Sequence, residues 1–188
     1  MKKYNVRIRG IRPLIHNRYD LDEAQKKRKK QKGSTFNPEK EVEKSLYRNT
    51  KGEIYQPADH IEGALIKTGP KFVIPNASRK TYKDRMKSQI FVSPSQISFN
   101  GNSNNYEIDI RSGVVPSTRG RIAIARPRWD NWEFDFQIQV LDENLVSADI
   151  LKEILETAGR EQGIGTYRPK FGLFEVVKFE PVIENTKV

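Results

Sequence analysis

The sequence predicts an α+β fold in which an antiparallel sheet is enlarged by long basic insertions. Three observations carry this. Strictly alternating apolar residues mark strands near both ends and in the middle of the chain. Two amphipathic stretches with helix-start and helix-stop residues lie between them. Two segments lose all periodicity and fill with lysine and arginine.

Tyr4, Val6 and Ile8 alternate with Asn5, Arg7 and Arg9, a half-buried first strand that Gly10 and Pro13 end. Residues 20–51 contain AQKKRKKQKGS and an unpatterned EKEVEKSLY, and read as a basic insertion that is partly disordered when free. In IYQPADHIEGALIKTGP, Asp59 is placed to cap a helix with Glu62 closing a capping box. Gly69 and Pro70 stop that helix, and Ile61, Ala64 and Leu65 face the core. Residues 70–89 read as a second basic loop. Ile90 to Phe99 is strand-like but broken by Pro94, which predicts an edge strand or two short pieces.

Tyr106, Ile108 and Ile110 alternate as another strand, and VVPSTRGRIAIARPRW follows as a hairpin turning at Pro116 and Gly120. Trp132, Phe134, Phe136, Ile138 and Val140 form the clearest strand in the chain. Ser147 caps a second helix with a stripe of Ile150, Leu151, Ile154, Leu155 and Ala158. Leu173 to Phe179 closes the core as the last strand. Strand, helix, several strands, helix, strand is the split βαββαβ order of ferredoxin-like and RNA-recognition folds. We expect one domain over residues 1–188.

Composition narrows the function. The 188 residues carry 34 Lys+Arg against 24 Asp+Glu, a formal charge of +10. The charge is uneven. Residues 2–32 sum to +9, residues 65–90 to +6, and residues 111–128 hold five Arg and no acid, whereas residues 130–162 sum to −7. Such asymmetry predicts a face for a polyanion. The absence of cysteine excludes disulfides, thiolate metal sites and cysteine nucleophiles, and two His are too few for an ordinary zinc site. No apolar run is long enough for a membrane span or a signal peptide. No basic amphipathic helix with an exposed aromatic edge suits a membrane surface, so the expected location is cytoplasmic.

The loop Gly163 to Gly172, GIGTYRPKFG, sets Arg168 and Lys170 among glycines. It matches neither the G-x-x-x-x-G-K-[ST] phosphate loop nor a dinucleotide loop, so no cofactor is expected. Arg119, Arg121, Arg126 and Arg128 follow at intervals of 2, 5 and 2, and strand geometry puts Arg126 and Arg128 on one face. Tyr167, Trp129 and Phe171 are aromatics beside cations, suited to stacking unpaired bases, although core packing fits Phe171 better. The expected nucleic-acid contacts are Arg12, His16, Arg18, Lys67, Lys71, Arg119, Arg121, Arg126, Arg128, Tyr167, Arg168 and Lys170. No metal ligands are expected, because Asp109, Asp130 and Asp135 form no two-metal signature.

Residues 52–69, GEIYQPADHIEGALIKTG, are similar to the G-x-x-Y-I-P-x-x-x-h-K-G-A-h lead-in to the first helix of CRISPR backbone subunits. These form part of the repeat-associated mysterious protein (RAMP) superfamily. The loop Gly163–Gly172 resembles, in position and character, the glycine-rich loop before that family's last core strand. The resemblance covers residues 2–19, 52–72 and 90–180, and departs from the family at Glu62, where its helix carries a lysine. It implies non-catalytic binding of single-stranded RNA or DNA, RNA preferred, by copies that line up along the strand, with other effector subunits as partners. Residues 111–128 would supply a thumb hairpin that enters between bases. A stand-alone, phage-encoded relative, including a phage single-stranded DNA-binding protein, stays open. So does a metal-independent endoribonuclease with His16 as its acid or base. Asp20 and Asp22 resemble the acidic loop with which some backbone subunits cut target RNA; His60 reads as a helix-start residue whose ring bonds locally.

Overall fold

The computed structural model describes residues 1–19, 36–115 and 118–183. In chain order its elements are β1 (Lys2–Gly10), β2 (Leu14–Ile15), α1 (Pro38–Ser45), β3 (Tyr55–Pro57), α2 (Ala58–Thr68), α3 (Lys83–Gln89), β4 (Ile90–Ser93), β5 (Gln96–Ser98), β6 (Glu107–Val114), β7 (Arg121–Trp129), β8 (Glu133–Val140), α4 (Ala148–Thr157) and β9 (Phe174–Pro181).

The main sheet has the order β4-β8-β1-β9, antiparallel throughout, with Val6 opposite Phe136 on one side and Phe179 on the other. α2 connects β1 to β4 across β8, and α4 connects β8 to β9 across β1. These are the two interleaved split units of a ferredoxin-like core. Alternation explains why the sheet has one wet face. Tyr4, Val6 and Ile8 of β1 and Phe134, Phe136, Ile138 and Val140 of β8 are buried under the helices, while the residues between them face out. Leu151, Ile154 and Leu155 bind α4 to that core without any exposed surface. Each contributes about 1.5–3 kcal/mol of apolar transfer.

A second sheet, β2-β7-β6, is built mainly from the segment between β4 and β8. Its hairpin runs from Glu107 to Trp129, so the expected strand around Tyr106 to Arg111 is the first leg of the hairpin. Where the main sheet meets this second one, Gly10 is required. A Cβ there would fall inside the indole of Trp132, whose Nε1 donates to the Arg12 carbonyl at 2.9 Å.

Several local expectations are corrected. Asp59 does not cap α2. The helix begins earlier, with Pro57 at the cap position, and Glu62 instead accepts from the Val92 amide at 2.8 Å, tying α2 to edge strand β4. Ser147 occupies the cap position of α4 without a side-chain bond. The basic loop 70–89 contains helix α3, anchored by buried Met86. The insertion 20–51 contains helix α1, capped by Asn37 and docked on β7 with Val42 and Leu46 buried. Asp20 and Asp22 of that insertion, and Pro116 of the hairpin turn, lie outside the described residues.

Candidate nucleic-acid interface

Antiparallel pairing sets Asp109 opposite Arg126 and Arg111 opposite Ile124, so the alternation of both legs places Asp109, Arg111 and Arg126 on one face of the hairpin. That face meets the loop before β9. The Arg111 guanidinium forks onto Asp109, with Nη2 to Oδ2 at 2.8 Å, and lies 4.6 Å from the Phe171 ring centre and 5.4 Å from that of Tyr167. Arg126 lies 4.8 Å from the Tyr167 ring centre, donates to its hydroxyl, and donates through Nε to Asn17 Oδ1 at 3.0 Å. Three segments distant in sequence thus converge on a shelf of guanidinium and aromatic groups.

The two arginines differ in charge balance. Arg111 holds the Asp109 carboxyl below its usual range, chiefly through their hydrogen bond, so its charge is largely neutralised. Arg126 forms no ion pair among the described residues. Its bonded partners Asn17 and Tyr167 are neutral, and Asp109 feels it more weakly than it feels Arg111 or Arg128. Arg128, expected as a contact, is spent internally. It pairs with Asp130 at 2.6 Å and with Glu107 at 3.8 Å.

The glycine loop positions this shelf rather than cradling an anion. The amides of Gly163, Ile164, Thr166, Phe171 and Gly172 are bonded to Ala158, Gly172, Ile15, Tyr167 and Pro13 carbonyls respectively, so few face outward. Gly172 has φ +75°, and a Cβ there would land on the Ile164 carbonyl. Only glycine closes the loop. What the loop presents is side chains: exposed Tyr167 and Lys170, and half-buried Arg168. Phe171 is buried, as core packing requires, with Arg111 over its ring.

Beside the shelf, the start of α2 presents His60. Gln56 Nε2 donates to His60 Nδ1 at 2.8 Å, and His60 Nε2 lies 3.4 Å from the Tyr47 hydroxyl. An Nδ1 that accepts leaves the ring proton of a neutral imidazole on Nε2. Burial, and then the nearby Arg168 charge, push the His60 pKa down, so the ring is neutral near pH 7. Burial pushes the Tyr47 hydroxyl up, against a smaller opposing pull from Arg18. Arg168 and Arg18 therefore flank this pair as cations, and the local bonding expected for His60 is present.

For His16 the expectation is corrected. The residue has no exposed surface. Its ring packs against those of Trp129, Tyr47 and Phe99 at 4.6, 5.3 and 6.1 Å between centres, and Nε2 bonds to Gln56 Oε1 at 2.9 Å. Burial pushes its pKa down to about 3. Such a ring reaches neither a bound strand nor a scissile phosphate; it supports Gln56, which supports His60. Trp129 is likewise core, with Nε1 donating to the Ser103 carbonyl at 2.8 Å, and offers no face for stacking.

The remaining expected contacts are dispersed. Arg12, Arg18 and Lys67 are exposed, Lys67 on α2. Lys71 is paired with Glu161. Arg119 and Arg121 are exposed at the tip of the hairpin. Strand geometry sets Arg121 roughly 17 Å along β7 from Arg126. The open face of the main sheet is a poor competitor for a polyanion, because its arginines are already paired, Arg7 with Asp135 and Arg9 with Glu133. Among the described residues no group of three or more His, Asp or Glu could hold a metal ion, and no helix is long and apolar enough to cross a membrane.

No family model matches the sequence, and no curated protein matches it. Among solved structures the fold is similar to that of a chain in the type III-B Cmr-beta bound to cognate target RNA, determined by cryo-EM. The TM-score is 0.59 at 14% identity, over 96% of this chain and 60% of that one. The chain thus spans 60% of the length of that relative, and at this identity the likeness establishes the fold.

Proposed function

We propose that the chain binds single-stranded nucleic acid, RNA in preference to DNA, without turnover, as a cytoplasmic backbone-type subunit of a CRISPR effector. The observation that carries this reading is the shelf of Arg126 and Arg111 on Tyr167. It joins an unpaired cation for phosphate with an aromatic edge for a base, and unpaired strands need both. Arg168, Arg18 and His60 extend the shelf toward α2, and Arg119 and Arg121 carry positive charge out along the hairpin. The hairpin acts as the thumb that enters between bases, and copies line up along the strand beside other effector subunits. Similarity to a chain of an RNA-bound Cmr assembly supports this reading.

The test is fluorescence anisotropy with a labelled 20-nucleotide RNA, the same sequence as DNA, and an RNA duplex. The single strands are expected to bind and the duplex to bind weakly. Log affinity should fall linearly with log salt, by about 0.7 for each phosphate contacted. DNA binding equal to RNA binding would move the reading to a general single-strand binder. No binding to any probe at low salt would overturn it.

A further inference from the structure

We propose that the open face of the main sheet holds a separate site for a nucleobase, in a cleft of about 600 Å³ above Asn5, Ser93 and Gln137. That volume falls in the range of small-ligand sites, about 300–1,000 Å³.

The cleft follows from the register. Ser93, Gln137 and Asn5 are direct neighbours across β4, β8 and β1. The side chains of Asn5 and Ser93 are short, while the adjacent row carries the longer Arg7–Asp135 pair, so a hollow opens between them. Its chemistry is neutral at the floor. Gln137 Nε2 donates to Asn5 Oδ1 at 3.0 Å, which fixes both amides. The Asn5 amino group remains as a donor and the Gln137 carbonyl as an acceptor, side by side on neighbouring strands. A donor next to an acceptor is the pattern with which amide side chains read the edge of a base.

The walls disfavour a small ion. Arg7 is forked onto Asp135 at 2.6 and 2.7 Å, so neither presents a free charge to a small ion. At the rim, Pro94 offers a flat apolar surface, and Lys178 lies in an exposed pair with Glu180 at 3.0 Å. An exposed pair of this kind contributes little to stability, so the ammonium is able to turn to the phosphate of a nucleotide.

The test uses the full ¹⁵N-labelled chain titrated with AMP, CMP, GMP and UMP, with ribose 5-phosphate and N-methylacetamide as controls. At least one nucleotide is expected to shift the side-chain amide signals of Asn5 and Gln137 and the backbone amide of Ser93 in a saturable way. Neither control should do so. Asn5→Leu/Gln137→Leu, whose spectrum reports folding directly, should lower that affinity about tenfold to a hundredfold, read on the Ser93 amide. The site is overturned if no nucleotide shifts these signals, or if ribose 5-phosphate or the peptide-bond mimic shifts them equally. It is also overturned if the shifts fall only on Arg111, Arg126 and Tyr167. It stands apart from the strand-binding reading: Arg111→Gln/Arg126→Gln should leave these shifts in place.

Discussion

Arg111→Gln combined with Arg126→Gln is expected to weaken single-stranded RNA binding about a hundredfold or more while leaving the chain folded. Hydrogen bonds to charged groups contribute about 1.5–3 kcal/mol each, and two are removed along with the cations that cover Tyr167. The slope of log affinity against log salt should also drop, by about 0.7, because Arg126 is, among the described residues, the unpaired cation of the two. Stability should change little. Glutamine can still donate to Asp109, whose carboxyl would then titrate closer to its usual range once the Arg111 hydrogen bond is gone. Arg128→Gln is the control. Its charge is already committed to Asp130 and Glu107, so the substitution should leave affinity nearly unchanged. Unchanged affinity in the folded double variant would remove the hairpin base from the interface.

The second large effect is on stability. His16 takes up a proton at its ordinary value of 6.5 when unfolded but only at about 3 in the folded core, because charging it there means charging a ring sealed among Trp129, Tyr47 and Phe99. Between these values the unfolded chain binds more protons than the folded one. The contribution of the neutral ring is therefore fully present above pH 6.5 and is lost as the pH falls toward 3. The loss amounts to about 1.4 kcal/mol per pH unit from this group alone. Urea unfolding of His16→Phe should show a correspondingly flatter dependence between pH 6 and pH 4. His60, also pushed down by burial, contributes with the same sign and remains in the variant. Parallel pH profiles for the two proteins would show that His16 is not sealed.

The parts of the fold legible in the sequence are those whose burial is periodic. Phe134 to Val140 alternates strictly and lies in β8, one of the two inner strands; the stripe of Leu151, Ile154 and Leu155 is α4. The order of these patterns suffices for the topology because each split unit needs one helix to cross one strand. Helices α1 and α3 are illegible for the opposite reason. They hold the fold through few apolar anchors, Val42 and the following Leu46 for α1 and Met86 for α3, within runs of charge that otherwise look like solvated loop. Asp59 and Glu62 have the spacing of a capping box, but the edge strand competes for the Glu62 carboxylate and wins.

The site divides along the same line. Tyr167 and Arg126 stand out locally, as an aromatic in a glycine loop and a cation in an acid-free hairpin. Their partners do not, because Asn17 meets Arg126 across 109 positions and Arg126 meets Tyr167 across 41, contacts that no local pattern encodes. His16 sits in a polar stretch that resembles a surface loop. Two residues of β2 pair with β7 beside it and draw it beneath Trp129, reversing its expected role.

The most direct test of the interface is photo-crosslinking of the full chain to a single-stranded RNA containing 4-thiouridine, with the adducts mapped by mass spectrometry. Adducts are expected on the loop carrying Tyr167 and Phe171 and on the β7 segment carrying Arg126, suppressed in Arg111→Gln/Arg126→Gln. Adducts confined to the acidic surface of α4, or an unaltered pattern in the double variant, would contradict an interface at the hairpin base.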